Sequence, residues 1–411
     1  MRRPKDASAP WTHRELVSLT TPGGEYIMIN FGVVEGAINP NMLPHPKLND
    51  TWILVAQHGK LKGFPNFSPE ESFYFDELTC LANFTSPGTL QCMTPPLLLP
   101  IANAPNSHGC VGKSIWILST NIGPHDARVV YGPEFPIIVY GEKSQYTCFS
   151  LWMQDFRVLV DWEYDTSWDR VTAVNTSGLR HAVEMQRPPP IGIVEKNYFL
   201  FWDFENQMYA HFDIAPERAF AKIENDGSVG PNLASDVSIT DLECMNKYMP
   251  KTGPELEDIH QATNSLSITL CDRADPKCSP DTENTFIMTI WQWKSYHSFH
   301  GAYEPYLALF KRMAPFELYG LTTKPFWMRG RGGFGEGRLP DPNANDQIKA
   351  EWNQTEMLYV TSMAWKEPGL RYHGFLDDII WIGFGIEDNY TAAMDVKARD
   401  LFPDLQRCQL P

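Results

Sequence analysis

One arrangement repeats along this chain, and it limits the possible folds more than any single residue does. A short cluster of polar residues, drawn from His, Asp, Asn, Lys and Arg, is followed by alternating apolar and aromatic residues with a turn between them. Alternation of this kind predicts β-strands, and the turns predict that successive strands are antiparallel. The arrangement occurs in GPHDARVVYGPEFPIIVYG (123–141), VEKNYFLFWDFENQMYAHFDI (194–214), IHQATNSLSITLC (259–271) and YHGFLDDIIWIGFGIEDNYTAAMDV (372–396).

Recurrent strand-rich units predict a ring of sheets. A single sheet cannot bury both of its faces, whereas a ring buries them and leaves one polar pocket at its axis. We therefore predict an all-β, five-bladed β-propeller in a single domain at residues 27–400, with an N-terminal arm at 1–26 and a C-terminal tail at 401–411. The predicted sheet units are residues 27–100, 110–170, 190–225, 258–325 and 355–397.

Two segments between these units read as linkers, residues 226–258 and the glycine-rich residues 329–346. The glycine-rich segment lacks phosphate-loop spacing and a following helix pattern, which predicts a mobile surface loop or lid. Helix signals are weak except at residues 391–402, where one or two helical turns are expected.

Composition excludes some functions and indicates a compartment. A net charge of −16 argues against nucleic acid as a partner, because no basic stripe is present to neutralise phosphates. The eight cysteines lack zinc-site spacing, and Cys271 and Cys278 flank a polar loop that a disulfide could close. These cysteines and six Asn-x-Ser/Thr sequons favour a secretory lumen. The sequons begin at Asn49, Asn66, Asn83, Asn175, Asn353 and Asn389.

Membrane attachment is not predicted from the chain itself. No apolar run approaches the roughly 20 residues that a membrane span needs, and the N-terminal residues are too polar for a signal peptide. A luminal protein would then be attached only through an anchor outside this sequence.

The order of the motifs NPNMLP, GPHDAR, EKNY–FWDF, HQATNSLSITLC and YHGFLDD–GIED resembles the fungal β-mannosyltransferases that add β-1,2-linked mannose to cell-wall mannans. It also resembles, more distantly, the five-bladed propellers of β-mannoside phosphorylases and hydrolases. The resemblance extends over residues 38–396. It implies GDP-mannose as donor, an oligomannoside acceptor, no metal cofactor and a Golgi location. One departure is that His125-Asp126-Ala127-Arg128 stands where those propeller enzymes have Glu-Asp-Pro-Arg.

Transfer from a sugar nucleotide needs positive charge at the leaving phosphate and a carboxylate to deprotonate the acceptor. Arg128, Lys196, His260 and His373 each begin a different predicted unit, so we expect them to form a cationic cradle at the axis without a metal. Asp126 is the expected catalytic carboxylate, and the resemblance to the phosphorylases adds Asp76. The remaining predicted sugar-binding residues are Asn39, Asn41, His125, Asn197, Gln261, Asn264, Asp377 and Asp378.

Structural roles are the alternatives for these residues. Asp377 and Asp378 are also typical of a turn or of an acidic metal pair, and His125–Arg128 of a buried salt bridge. Lys196 can belong to a solvated strand edge, and His373 to the core. At the level of function, a β-mannoside phosphorylase or hydrolase stays open, as does a carbohydrate-binding propeller without catalysis. GxSxG and GxGxxG motifs in the required context are absent from the sequence.

Overall fold

The computed structural model shows a chain built almost entirely of β-strands. It describes all residues except 1–3, 6–7, 60–72, 105–109, 111–114, 116–117, 119, 161–177, 254–255, 298–299, 340–345, 369–371 and 409–411. In the described residues the helices are α1 (Ser238–Tyr248), α2 (Asp346–Glu351) and the short 3₁₀ segments Phe156–Val158, Ala234–Asp236 and Ala398–Leu401. Across that same part of the chain, the structure contains no helix with the length and apolar character of a membrane span.

The strands are short to medium in length and follow one another along the whole chain. In chain order they are β1 (Arg14–Leu16), β2 (Ile27–Asn30), β3 (Ala37–Pro44), β4 (Trp52–Gly59), β5 (Phe73–Ser86), β6 (Thr89–Cys92), β7 (Leu97–Leu98), β8 (Asn121–Ile122), β9 (His125–Tyr131), β10 (Pro136–Lys143), β11 (Phe149–Asp155), β12 (Val183–Glu184), β13 (Phe199–Trp202), β14 (Met208–Asp213), β15 (Ala219–Lys222), β16 (Glu257–Thr269), β17 (Thr285–His297), β18 (His300–Lys311), β19 (Leu318–Thr322), β20 (Phe326–Met328), β21 (Leu358–Trp365), β22 (His373–Phe375), β23 (Ile379–Ile386), β24 (Tyr390–Lys397) and β25 (Leu405–Arg407).

Most of these strands belong to five antiparallel series. The series are β3-β4-β5-β6, β9-β10-β11-β12, β13-β14-β15, β16-β17-β18-β19 and β21-β23-β24-β2. Strands such as β10 and β23 are buried along nearly their whole length. Their sequences contain long apolar runs because both faces of the sheet are covered.

The first strand of each series lies at the centre of the molecule. Strand β3 contacts β9 and β21, and β16 contacts β9, β13 and β21. Since the first strands meet one another while later strands lie outside them, side chains at the starts of the first strands lie close together. This arrangement places the site described below.

The N-terminal strand β2 joins the last series to the first. Its residues pair antiparallel with β24 and parallel with β6, which merges both series into one large sheet. The sequence analysis assigns residues 27–30 to the first unit. This is wrong in one respect, because the antiparallel partner of these residues is β24 of the last unit. The division into arm, propeller and tail stays a prediction. Both end segments pack on sheets, because β1 pairs with β20 and β25 with β19.

Four disulfides link the eight cysteines of the chain. The structure confirms the predicted pair Cys271–Cys278. The other pairs are Cys80–Cys92, Cys110–Cys148 and Cys244–Cys408. Disulfides at this density are typical of proteins that fold in an oxidising compartment.

Two local predictions are wrong. The expected helical turns at 391–402 are strand β24 followed by a 3₁₀ turn, while α1 lies inside the predicted linker 226–258. The glycine-rich segment is not wholly a surface loop, because the Arg331 side chain is fully buried and donates to both carboxylate oxygens of Glu304 at 2.9 and 3.0 Å. This buried pair fixes the first part of the segment.

Candidate functional site

Asp126 lies at the centre of the molecule, and its backbone has a left-handed conformation that hydrogen bonds fix. Its φ is 49°, and its first oxygen, Oδ1, accepts a hydrogen bond from Asn39 Nδ2 at 2.6 Å. Its backbone N–H donates to Gln57 Oε1 at 2.7 Å. A left-handed aspartate is uncommon outside turns and active sites. Side chains of the first series therefore fix the direction in which the Asp126 carboxylate points.

Arg128 lies beside Asp126 but is bound to backbone. Its guanidinium donates to Ala262 O on β16 and to Asp126 O, and the side chain is 7% exposed. These contacts tie β9 to β16. Arg128 contributes positive charge to the site, and its Nε and Nη1 groups are already bound to backbone oxygens. Its predicted role as a direct phosphate ligand stays a prediction.

A cavity of about 90 Å³ opens next to Asp126 between the second and third series. Lys196, which is exposed, and Asn197 enter it from the segment before β13. The other wall carries His125, Asp126 and Arg128 from β9. The carboxylate of Asp126 and the side chain of Lys196 thus line one small cavity.

His260 on β16 links this cavity to a group of tyrosines. Its Nε2 accepts a hydrogen bond from Asn197 Nδ2 at 3.3 Å and lies 3.0 Å from Tyr359 Oη. The Tyr359 ring is 4.7 Å from that of Tyr303, and the Lys294 ammonium lies 5.8 Å from the centre of the Tyr303 ring. The result is an aromatic wall with a lysine beside His260.

The ionisable groups here have shifted pKa values. Burial, together with the positive charges of Lys294 and Lys196, lowers the pKa of His260 to about 3. Burial also lowers the pKa of His125 to about 4, and its ring lies 3.9 Å from that of Phe75. Both histidines are therefore neutral at pH 7, so the positive charge of the predicted cradle comes from Arg and Lys.

Lys294 and Asp126 also have shifted pKa values. Burial and the charge of Lys196 lower the pKa of Lys294. Burial alone would raise the pKa of Asp126, but nearby positive charges, of which Arg128 is the largest, lower it below its usual value. The site therefore offers an ionised carboxylate next to ammonium groups, which suits proton removal at one wall and anion binding at the other.

A second carboxylate, Asp388, lies on the turn between β23 and β24. Its φ is 45°, and the surrounding protein and the charge of Asp126 raise its pKa to about 6. The turn is close to the site because Gly385 packs against Asn39, the residue that donates to Asp126. Sequence analysis did not select Asp388, although it lies in the quoted GIED motif.

Three predicted sugar-binding amides donate to backbone carbonyls of neighbouring series. Asn41 donates to Ala127 O at 2.6 Å, and Asn264 donates to Met363 O at 2.9 Å. The Gln261 amide donates to Phe212 O at 2.8 Å and to Asn197 O at 3.1 Å. All three side chains are buried. They satisfy backbone groups where no strand ladder is present.

Three more predicted residues lie away from Asp126. His373 pairs with Ser267, seven residues along β16 from His260, which corresponds to about 20 Å. Asp377 accepts the Arg273 N–H at 2.6 Å, and Asp378 forms an ion pair with the Arg273 side chain at 2.7 Å. The prediction that these residues share one pocket with Asp126 is wrong, because β22 runs beside the far end of β16.

Asp76 and Glu77 show how strand alternation divides neighbouring acids. The two side chains point to opposite faces of β5, and Glu77 Oε1 accepts the Ala127 N–H at 3.0 Å. Asp76 is half-buried beside His58 in the register. Its catalytic role stays a prediction, whereas Glu77 reaches the backbone of the site. The available signal was that Glu77 and Gln57 are polar residues on otherwise mainly apolar strands.

Within the described residues, no set of three or more His, Cys, Asp or Glu side chains is arranged to hold a metal ion. No family model matches the chain, and no curated protein matches it.

Solved structures with similar architecture include carbohydrate-active enzymes. One is a glycosyl hydrolase from Bacteroides ovatus, with 9% identity, a TM-score of 0.43, and coverage of 97% of this chain and 95% of that chain. Another is a β-1,2-mannobiose phosphorylase from Listeria innocua in complex with β-1,2-mannobiose, with 10% identity, a TM-score of 0.44, and coverage of 94% and 95%. At these values the likenesses carry no conclusion about activity. The resemblance to fungal β-mannosyltransferases stays a prediction from the motifs.

Proposed function

We propose that this chain transfers a mannosyl group between a phosphate group and a hydroxyl of an oligomannoside, with inversion at the anomeric carbon. The observation that carries the proposal is the cavity in which ionised Asp126 faces Lys196, with Lys294 beside His260. We also propose that the five antiparallel series are the blades of a propeller, which would put this cavity at its axis.

In the synthetic direction, Asp126 removes the proton from the acceptor hydroxyl as that oxygen bonds to the anomeric carbon. The bond from the anomeric carbon to the phosphate oxygen breaks, and the lysines stabilise the departing phosphate. Asn39 keeps one carboxylate oxygen hydrogen-bonded. In the reverse direction, phosphate attacks a β-mannoside, Asp126 returns the proton to the leaving hydroxyl, and α-mannose 1-phosphate forms.

Among the possible phosphate substrates we put the simplest, inorganic phosphate, first. The proposed activity is therefore that of a β-mannoside phosphorylase. The cavity of about 90 Å³ is well below the volumes typical of sites that enclose larger ligands, which favours inorganic phosphate over a nucleotide at this position. The second candidate is a GDP-mannose-dependent β-mannosyltransferase, which the motif order favours. The four disulfides and the sequons support the proposal that either enzyme works in the secretory pathway, and the Golgi is implied only by the resemblance.

The test incubates purified protein with a mannobiose acceptor and either α-mannose 1-phosphate or GDP-mannose, and measures released phosphate or GDP and the lengthened product. Lengthened product with α-mannose 1-phosphate supports the phosphorylase, and lengthened product only with GDP-mannose supports the transferase. Free mannose from mannobiose without phosphate identifies a hydrolase. Mannoside binding without turnover identifies a carbohydrate-binding protein and overturns the enzymatic proposal.

Two lysine variants test phosphate binding, one at the site and one elsewhere as the matched control. Lys196→Ala should raise the KM for the phosphate donor with little change in the KM for mannobiose. Lys222, an exposed lysine paired with Glu224 on the third series, is the comparison. Lys222→Ala should leave both constants unchanged, and equal effects of the two variants would contradict phosphate binding at Lys196.

A further inference from the structure

A buried carboxyl group lies directly behind the site without touching the cavity. Glu77 on β5 is 1% exposed, and its Oε1 accepts the Ala127 N–H at 3.0 Å. Its other oxygen, Oε2, is buried and has no hydrogen-bond partner among the described residues. The mechanism above does not use this residue.

Glu77 forms one half of a clamp on the backbone of Asp126. It is the cross-strand partner of Gln57, whose Oε1 accepts the Asp126 N–H at 2.7 Å. Two neighbouring side chains of the first series therefore accept two successive N–H groups, those of Asp126 and Ala127. Since the φ of Asp126 is 49°, a strained value for a residue with a side chain, the clamp holds a conformation that would otherwise relax.

The surroundings of Glu77 disfavour a negative charge on it. Burial and the charges of Asp126 and Asp76 raise its pKa to about 8, against the opposing effect of the Ala127 N–H and of Arg128. From β4 the neutral amide of Gln57 faces it. Glu77 therefore carries a proton at pH 7, in contrast to Asp126.

We propose that Glu77 is a positioning residue that acts as a neutral acid, fixing the backbone that aims the Asp126 carboxylate at the acceptor hydroxyl. Loss of its proton places a second negative charge behind Asp126 and next to the phosphate-binding cavity. This weakens phosphate binding and destabilises the first series. The effect on transfer rests on the proposed function, whereas the proton on Glu77 does not.

The first experiment is independent of activity and compares wild type with Glu77→Gln, a neutral variant of the same shape that keeps the acceptor for Ala127. Since the folded protein holds the Glu77 proton more tightly than the unfolded chain, wild type should lose stability relative to Glu77→Gln as pH rises from about 4.5 to about 8. The measurement is thermal unfolding at several pH values, together with an infrared difference spectrum at pH 7. That spectrum should contain a protonated carboxyl band that is absent from Glu77→Gln. A stability difference that does not change with pH, or the absence of this band, overturns the proposal.

The second experiment measures transfer with the substrate that the function test identifies. Glu77→Gln should keep wild-type kcat at pH 7 and retain activity above pH 8, where wild type declines. Glu77→Ala should lose kcat about 100-fold, which is typical of a displaced catalytic group. Equal losses in both variants at every pH indicate a purely structural glutamate and refute the neutral-acid role. If no substrate is turned over, the stability and infrared results still decide the state of Glu77, so the failures of the two proposals are distinguishable.

Discussion

Replacing Arg128 separates a structural role from a phosphate-binding role. The sequence predicts a phosphate ligand, whereas the structure shows a guanidinium that donates to Ala262 O and Asp126 O and is 7% exposed. Hydrogen bonds that involve a charged partner contribute about 1.5–3 kcal/mol each. Arg128→Ala removes two such bonds, so we expect the free energy of unfolding to fall by about 3–6 kcal/mol, a large part of the 5–15 kcal/mol typical of native proteins.

Urea unfolding followed by tryptophan fluorescence measures this loss. Arg128→Lys should recover part of the stability, because an ammonium group can replace one of the two donors. Lys196→Ala should change stability by less than about 0.5 kcal/mol, as is usual for an exposed side chain. If Arg128→Ala has the wild-type midpoint and slope but a raised KM for the phosphate donor, the arginine is a phosphate ligand and the structural reasoning is refuted.

Three further predictions concern the carboxylates and one disulfide. Asp126→Asn should abolish transfer while the protein stays folded, which calorimetry and the product assay together check; substantial residual turnover would remove Asp126 from the mechanism. Because the pKa of Asp388 is raised to about 6, wild type should lose stability relative to Asp388→Asn as pH rises from about 4 to 6, and melts that differ by a constant amount would contradict this. Replacing Cys271 and Cys278 by Ser should lower the free energy of unfolding by about 2–3 kcal/mol, as expected for a loop of this length, without changing kcat; a large fall in kcat would link this remote loop to the site.

Local sequence patterns predicted the strands well where one short turn joins two segments with clear alternation of apolar and polar residues. The third predicted unit, residues 190–225, contains β13, β14 and β15 at nearly the predicted positions. Its runs of apolar residues are continuous enough to identify the strands, and Asn and Glu mark the turns between them. By contrast, α1 has only three buried residues in eleven and a weak apolar face, so no sequence pattern predicted this helix.

The site was predicted in part, for a reason that is topological. Asp126, Lys196 and His260 come together because each lies near the start of the first strand of its series. His373 also begins a strand, but β22 is a three-residue strand that precedes β23 and pairs with the far end of β16. Which strand is innermost is decided by long-range pairing, and a polar residue before a strand does not reveal it.

The amides illustrate the same limit at the level of side chains. Asn39 and Asn41 lie two residues apart on β3, yet Asn39 donates to the Asp126 carboxylate and Asn41 to a backbone carbonyl. The left-handed φ of 53° at Asn39 turns its side chain toward the site. Both residues are asparagines on the same strand, so the sequence does not distinguish them. Only the backbone conformation separates the amide that faces the site from the structural one.

The pairing of β2 with β24 has a consequence for synthesis of the chain. The Thr391 hydroxyl donates to Ile29 O across a separation of 362 residues, so β2 leaves the ribosome long before the strand with which it pairs. During that interval the apolar residues Ile27–Ile29 present an unpaired edge, which is the kind of surface that other chains can pair with. Protection of this edge by a chaperone until β24 is made would then decide the yield of native protein more than the stability of the finished fold does.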